Sequence, residues 1–287
     1  MGKKSARAIL IAAIVAAVLL LMWLGVSHYY RRLTTQRFDS TVLDECTSKQ
    51  VKDAILSPQK HQELVDLLKH THEIMVAFNV HYWLIGGSLL GAVRDGGMIP
   101  WDDDDDIGVL DSEWKSVRNN DDFLADLSAR GLALISVIGS ADKIVFIRDW
   151  QDILSSNKDI VRVSANEFMN RHAAFLDVFP FEIDPTNRKQ MRLESWRDRI
   201  MFPNEWFEVE NVFPRRLFAF SETKSDAILL YGPRNPFPYL TRNYGSRGKP
   251  TWIDSAVLAS HSSISAMLRP CRLSATQVQK VKAQLIN

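Results

Sequence analysis

A chain of 287 residues, 46% hydrophobic and 24% charged, has the composition of a globular protein with room for one sizeable domain, which excludes a wholly disordered chain. The formal net charge is +1, but six basic residues (Lys3, Lys4, Arg7, Arg31, Arg32 and Arg37) precede residue 38 and leave 29 basic against 34 acidic side chains over 38–287. A domain of that sign lacks the basic face that phosphate-backbone affinity needs, so no nucleic-acid partner is expected.

Residues 8–26, AILIAAIVAAVLLLMWLGV, carry no charge and as a helix would span roughly 28 Å, close to the hydrocarbon thickness of a bilayer. Trp23, Tyr29 and Tyr30 stand near one end, where amphipathic rings favour the interface. A cleaved signal peptide would have a shorter apolar stretch and a small-x-small cleavage site, which LGVSHYY does not supply. The expected organisation is a basic tail (1–7), a transmembrane signal anchor (8–26), a polar stalk (27–56) and one domain (57–287). This describes a single-pass type II membrane protein facing the ER or Golgi lumen, although the three basic residues on each side of the span do not themselves choose the orientation. Cys46 and Cys271 are the only cysteines. They can pair in an oxidising compartment, but two cysteines cannot build a thiolate zinc site.

Ser57 followed by Pro58 reads as an N-cap and a first-turn proline, and Leu64, Leu67, Leu68, Met75 and Phe78 continue at helical spacing. HYWLIGG is a short strand ending in glycines, SLLGAVRD a short helix, and DDDDDIGVL a strand entered from the Ile99-Pro100 turn. Segments 132–138 and 143–149 form a hairpin over 139–142. FLDVFPFEI is a further strand, whose Pro180 suggests an edge or a bulge. A basic helix near 186–200, a strand at WFEVENV, a helix around 223–231 and a turn-rich NPFPYLTRNYG follow. Strands and helices interleave without strict alternation, which predicts a mixed α/β or α+β domain.

The chemistry concentrates in residues 86–108, GGSLLGAVRDGGMIPWDDDDDIG. Gly86, Gly87 and Ser88 end a strand where a helix begins, the outline of a phosphate cradle with Ser88 as hydroxyl donor and Arg94 as forked phosphate ligand. Five adjacent aspartates are electrostatically costly unless a cation sits among them. On an extended strand Asp102, Asp104 and Asp106 would share one face, with Asp103 and Asp105 opposite. Carboxylates so spaced suit Mg²⁺ or Mn²⁺, hard ions that also bind substrate phosphates.

This stretch resembles the signature of the LicD/fukutin family, in which a GG(S/T)LLGAVR segment is followed by GxIPWDDD and D-I-G. Downstream, Phe175-Leu176-Asp177-Val178-Phe179-Pro180 resembles the family's second acidic strand, and Pro236-Phe237, Tyr239-Leu240 and Tyr244-Gly245 resemble its C-terminal element. The resemblance implies a nucleotidyltransferase-like mixed sheet flanked by helices. It also implies a phosphotransferase that moves a phospho-substituted group, of phosphocholine or alditol phosphate type, from a CDP-activated donor to a glycan. On that resemblance Asp104, Asp106 and Asp177 are the metal-binding and catalytic carboxylates, Asp177 the acceptor's base, and Gly86, Gly87, Ser88 and Arg94 the donor-phosphate contacts. Position 105 is usually aliphatic in this pattern and is Asp105 here. That departure keeps open a non-catalytic partner of a glycan-modifying transferase.

Further candidates are Asp102 as an added ligand, Trp101 as a stacking platform or a buttress of the strand, and His172 as an acid/base partner. Tyr239 and Tyr244 read as core or capping residues. The basic stretch Arg188, Lys189, Arg192, Arg197 and Arg199 reads as a solvated helix face.

Overall fold

The computed structural model describes residues 13–14, 17, 43–138, 140–154, 160–220, 227–245, 248–253, 257–258 and 270–286. Thr47 and Gln50 form a capping box at the start of α1 (Ser48–Ala54). Ser57 accepts the amide of Lys60 at 3.2 Å and Pro58 opens α2 (Pro58–Ala77), as their order predicts. One stripe of α2 buries His61, Leu64, Leu68, Thr71 and Met75, with Leu67 and Ile74 beside it. A period of 3.6 residues puts these side chains on one side, where the helix packs across the sheet.

In chain order, β1 (Tyr82–Leu84), α3 (Gly86–Arg94), β2 (Asp105–Leu110), α4 (Asp111–Val117) and α5 (Asp121–Ala129) come next. β3 (Leu132–Val137), β4 (Asp142–Phe146), β5 (Val161–Val163), α6 (Ala165–Met169) and β6 (Phe175–Ile183) follow. β7 (Gln190–Leu193), α7 (Trp196–Met201), β8 (Trp206–Glu208) and α8 (Val209–Val212) complete the sheet region. β9 (Arg216–Phe220) and β10 (Ile228–Gly232) form a separate antiparallel pair, followed by α9 (Phe237–Tyr244). β11 (Val257–Leu258), β12 (Cys271–Arg272) and α10 (Ala275–Ile286) close the described chain.

The main sheet runs β1-β2-β6-β4-β3-β5, with β7 and β8 added beyond β6. The β2–β6 and β3–β5 pairs are parallel and the others antiparallel, so the fold is α+β with a central mixed sheet flanked by helices. Its core gathers Trp83, which packs against the rings of Phe181, Phe207 and Phe213.

β6 is the organising strand, not the edge that its proline suggested. β4 pairs with its first half, up to Val178, and β7 with its end, from Phe181. Pro180 falls between the two partners, so its missing N–H interrupts no ladder, and its carbonyl accepts the Glu194 amide at 2.9 Å. The basic helix expected near 186–200 is instead β7 and the short α7, with Arg192 and Arg199 both ion-paired to Glu182 and Arg192 also to Asp184. The helix expected around 223–231 is β10 where it is described.

The expected anchor at 8–26 lies outside the described residues except at 13, 14 and 17. Among the described residues no helix is long and apolar enough to cross a membrane. The single-pass, lumen-facing placement and the membrane partner are corrected accordingly, because no spanning helix supports them. The segment read as a stalk is, from residue 43, packed on the domain: Ala54 is buried and the Leu56 amide donates to Pro100 O at 3.1 Å.

A disulfide joins Cys46 to Cys271 across 225 positions. Beside it Cys46 N donates to Arg272 O and Arg272 N to Asp44 O, each at 2.8 Å. A cross-link closing so long a loop removes much of the unfolded chain's freedom. Cys46→Ser, or reduction of the native chain, is expected to lower unfolding free energy by about 2–5 kcal/mol in urea titrations. An unchanged midpoint would show that the cross-link contributes nothing to domain stability.

Candidate active site

Register builds the site. In the parallel pair Asp106 on β2 faces Asp177 on β6, and in the antiparallel pair Asp177 faces Lys143 on β4. Three neighbouring strands thus carry Asp106, Asp177 and Lys143 in one lateral row, each about 4.8 Å from the next strand. Asp104 precedes Asp106 by two residues. One carboxylate oxygen from each of Asp104, Asp106 and Asp177 lies within 4.8 Å of the other two. Asp102, Asp103 and Asp104 make a second group with the same closeness.

That second group corrects the expected alternation of faces along the aspartate run. β2 begins only at Asp105, and the preceding residues turn, with the Asp102 amide donating to Ile99 O at 3.0 Å. Asp103 therefore joins Asp102 and Asp104 instead of opposing them. Asp105 does point away, into the interior, at 1% exposure. There it accepts the Ser88 hydroxyl at 3.2 Å through Oδ1, while its Oδ2 has no hydrogen-bond partner.

The glycines and Ser88 hold the aspartates. Gly86 begins α3 at φ +54°, and a Cβ there would lie 2.2 Å from Asp106 Oδ2. At Gly87 a Cβ would lie 1.8 Å from Asp102 Oδ2. Only glycine lets backbone and carboxylate approach this closely. Ser88 is buried and accepts the Asp106 amide at 2.9 Å while donating to Asp105. Arg94 sits at the far end of α3, its side chain 4% exposed, with Nε and Nη2 both donating to Asp95 Oδ2. Trp101 is buried in the core cluster, a buttress. His172 is exposed at φ 51°, and its carbonyl accepts Lys60 Nζ at 3.2 Å.

Burial, reinforced by neighbouring carboxylates, pushes the cluster's acids up. Asp104 rises to about 6, first through burial and then through Asp103, against the pull of Lys143 and Lys60. Asp177 also rises to about 6, because burial outweighs Lys143 beside it. Asp102, Asp105 and Asp106 are pushed well above the carboxylate range, mainly by burial and then by Asp104. Acids so crowded take up protons or a cation.

Two features were missed in the sequence. Lys143 is the buried lysine among the described residues. Its Nζ contacts Asp177 Oδ1 and lies 5.6 Å and 5.3 Å from the ring centroids of Phe168 and Phe175. Glu205 accepts the Tyr239 hydroxyl at 2.7 Å, and the same hydroxyl accepts the Gly86 amide at 2.8 Å. Burial lifts Glu205 to about 7. Its signal in sequence was nil, because the contact needs α9 folded back onto α3; Lys143 opened a predicted strand, but the register to Asp177 is not local.

The family model for the LicD/FKTN/FKRP nucleotidyltransferase domain matches residues 79–227, more than half of the chain. The chain belongs to the LicD/FKTN/FKRP family. Among its relatives, an uncharacterized protein of Rickettsia typhi is 28% identical over 86% of this chain and 63% of its own length. Human ribitol 5-phosphate transferase FKRP is 28% identical over 74% of this chain and 41% of its own. The lipopolysaccharide cholinephosphotransferase LicD of Haemophilus influenzae is 38% identical over 20% of this chain and 22% of its own. The chain therefore spans less than two thirds of each of these three. The family match includes β1, α3, β2, β4 and β6, and so the whole row Asp106–Asp177–Lys143, but stops before Tyr239.

The raised acids set a pH dependence. Asp104 and Asp177 ionise near 6 in the folded chain against 3.8 ordinarily, and Glu205 near 7 against 4.5. Groups raised on folding favour the folded state at low pH, and that contribution is lost as pH climbs through the folded values. Metal-free chain is expected to melt at lower temperature at pH 7.5 than at pH 5.5, and saturating Mn²⁺ to restore the difference at pH 7.5. A melting temperature indifferent to both would remove the case for a strained acidic cluster.

Proposed function

We propose that this chain is a divalent-metal-dependent phosphotransferase, which moves a phospho-substituted group from a nucleotide-diphosphate donor, CDP-linked by preference, to a glycan. The observation that carries the reading is the meeting of Asp104, Asp106 and Asp177 within 4.8 Å. Family membership, with relatives that are a ribitol 5-phosphate transferase and a lipopolysaccharide cholinephosphotransferase, supports the reaction class.

The donor set fits a hard dication. It consists of carboxylate oxygens alone, drawn from three acids that the β2–β6 ladder and the turn before β2 hold together, with the Lys143 ammonium beside Asp177 and paired to it. Asp104, Asp106 and Asp177 would hold Mg²⁺ or Mn²⁺, with Asp102 as an additional ligand from the turn. When bound, the ion supplies charge neutralisation for the diphosphate and for the leaving nucleoside monophosphate.

The chain's own groups do the rest. A glycan hydroxyl oxygen attacks the phosphorus of the transferred group, forming the new phosphodiester as the bond to the nucleoside monophosphate breaks. The hydroxyl proton passes to a carboxylate of the cluster, for which Asp177 is the proposed base. Gly86 and Gly87 let the start of α3 lie against Asp106 and Asp102. The Gly86 N–H donates to the Tyr239 hydroxyl, itself held by Glu205, which leaves Gly87 as the proposed backbone contact to the donor phosphate. Asp105 takes no part: it lies on the other face, held by Ser88, and accounts for the departure from the family pattern without touching the ligand set. The proposed catalytic unit is 57–287.

Calorimetry on the full chain tests this. CDP is expected to bind only with Mn²⁺ present, more tightly than UDP or GDP. That binding should be lost in Asp104→Ala and kept in Asp105→Asn. Preference for another base would leave the chemistry and overturn the cytidine donor. A folded chain that binds neither metal nor nucleotide would point to the non-catalytic partner instead.

A further inference from the structure

A site that transfers a phosphoryl group needs donors for the phosphate's own oxygens, and the side chains that sequence suggested for this are already engaged. Ser88 donates to Asp105 and accepts from the Asp106 amide. Arg94 gives Nε and Nη2 to Asp95, one residue beyond the far end of α3. Lys60, on α2, stands within the field of Asp103 and Asp104 but donates to the His172 carbonyl and lies off the sheet row. Lys143 remains. It is in lateral register with Asp177, 5% exposed, and its ammonium contacts the Asp177 carboxylate.

We infer that Lys143 is the phosphate-binding residue of this site: when a dication takes Asp177 together with Asp104 and Asp106, its ammonium passes from the Asp177 carboxylate to a non-bridging oxygen of the donor's phosphate. The inference rests on the transferase reading above. Three physical points support it. A dication and an ammonium compete for the same Asp177 oxygens, so binding one loosens the other. A phosphate held on that dication arrives beside the released ammonium, which is a compact point charge with three donors and needs no fixed fork geometry. The rings of Phe168 and Phe175, at 5.6 Å and 5.3 Å, keep the ammonium from leaving the site while it exchanges partners.

The roles of neighbouring charges agree. Without Lys143 the cations in the field of these acids, among the described residues, would be Lys60 on α2 and Arg94 at the end of α3. An anionic donor approaching Asp102, Asp103, Asp104, Asp106 and Asp177 would then meet an excess of negative charge. Asp198 on α7 is also buried nearby, within the field of Lys143. One buried ammonium directly opposite the third carboxylate supplies positive charge on the β4 side of the row, where the acids themselves supply none.

The test compares wild type, Lys143→Met, Lys143→Arg and Lys60→Met in the full chain, by calorimetric titration with Mn²⁺ alone and with CDP at saturating Mn²⁺. Lys143→Met is expected to bind Mn²⁺ at least as tightly as wild type, because Asp177 is released, and to bind CDP about tenfold or more weakly. Lys143→Arg should keep most of the CDP affinity, and Lys60→Met should lose much less than Lys143→Met. Unchanged CDP affinity in Lys143→Met, an equal loss in Lys60→Met, or a loss of Mn²⁺ binding in a folded Lys143→Met would each overturn the assignment. Because Lys143→Met leaves a buried carboxylate unpaired and can fail to fold, wild type provides a second measurement. Mass-spectrometric acetylation of Lys143 should rise with Mn²⁺ and fall again when CDP is added. No suppression by CDP would equally overturn it. If wild type binds neither Mn²⁺ nor CDP, the transferase reading itself has failed, an outcome distinct from all of these.

Discussion

The mutual repulsion of buried carboxylates across two hydrogen-bonded strands is the constraint on which this molecule turns. Asp106 and Asp177 are held side by side by the ladder between β2 and β6, not by flexible loops. They cannot separate without breaking that ladder. Asp104 and Asp102 are then added from the turn that feeds β2. In low dielectric such a group must be relieved by protons, by a fixed cation or by a bound one. Lys143 supplies one charge from β4, fewer than the acids present, and Asp104 and Asp177 consequently stay raised to about 6 even beside it. A rigid, under-neutralised oxygen cluster is therefore built into the sheet itself, which is the arrangement that a dication and its phosphate ligand would complete.

Much of the surrounding sequence can be understood as support for that arrangement. Gly86 and Gly87 are small so that Asp106 and Asp102 can lie against the start of α3. The Ser88 hydroxyl ties the same helix to β2 by bridging Asp105 and the Asp106 amide. Tyr239 reaches from α9 to take the Gly86 amide, stacks on Phe207 at 4.4 Å, and is itself held by Glu205. The GGS segment and the aspartate run are thus one packed unit. Their short separation in sequence reflects the tight return from α3 into β2.

Local pattern made parts of this legible. The Ser57-Pro58 cap, the α2 stripe, the strand–glycine–helix step at Gly86 and the 132–146 hairpin all rest on short-range rules, and each formed where expected. The acidic run and the Asp177 strand were legible through their resemblance to the family, and Asp104, Asp106 and Asp177 do come together. What failed was the non-local part. A wholly extended run would set Asp103 opposite Asp102 and Asp104, whereas the turn after Ile99 delays β2 to Asp105. Pro180 looked like an edge marker because nothing local shows that β4 ends and β7 begins on either side of it. Of the helix expected near 186–200 only the Trp196–Met201 part is helical, with β7 before it, and the described part of 223–231 is β10, because both strands are fixed by partners outside those segments. Lys143 and Glu205 were silent because strand register and the return of α9 are tertiary facts.

The position of Asp105 shows how the fold separates support from chemistry within adjacent residues. Strand geometry sends Asp106 to one side and Asp105 to the other, and the bend before β2 brings Asp104 to the side of Asp106. On its side Asp105 is buried, raised well above the carboxylate range by burial, and given the Ser88 hydroxyl. A protonated carboxyl in that place is a neutral polar group, tolerable in a core where an anion would not be. An aliphatic residue there would pack the same space but leave the Ser88 hydroxyl without this acceptor. Asp105 thus costs one unpartnered oxygen and returns one hydrogen bond to the helix that carries Gly86 and Gly87, so the departure from the family pattern bears on how firmly α3 is held and not on which carboxylates face a ligand.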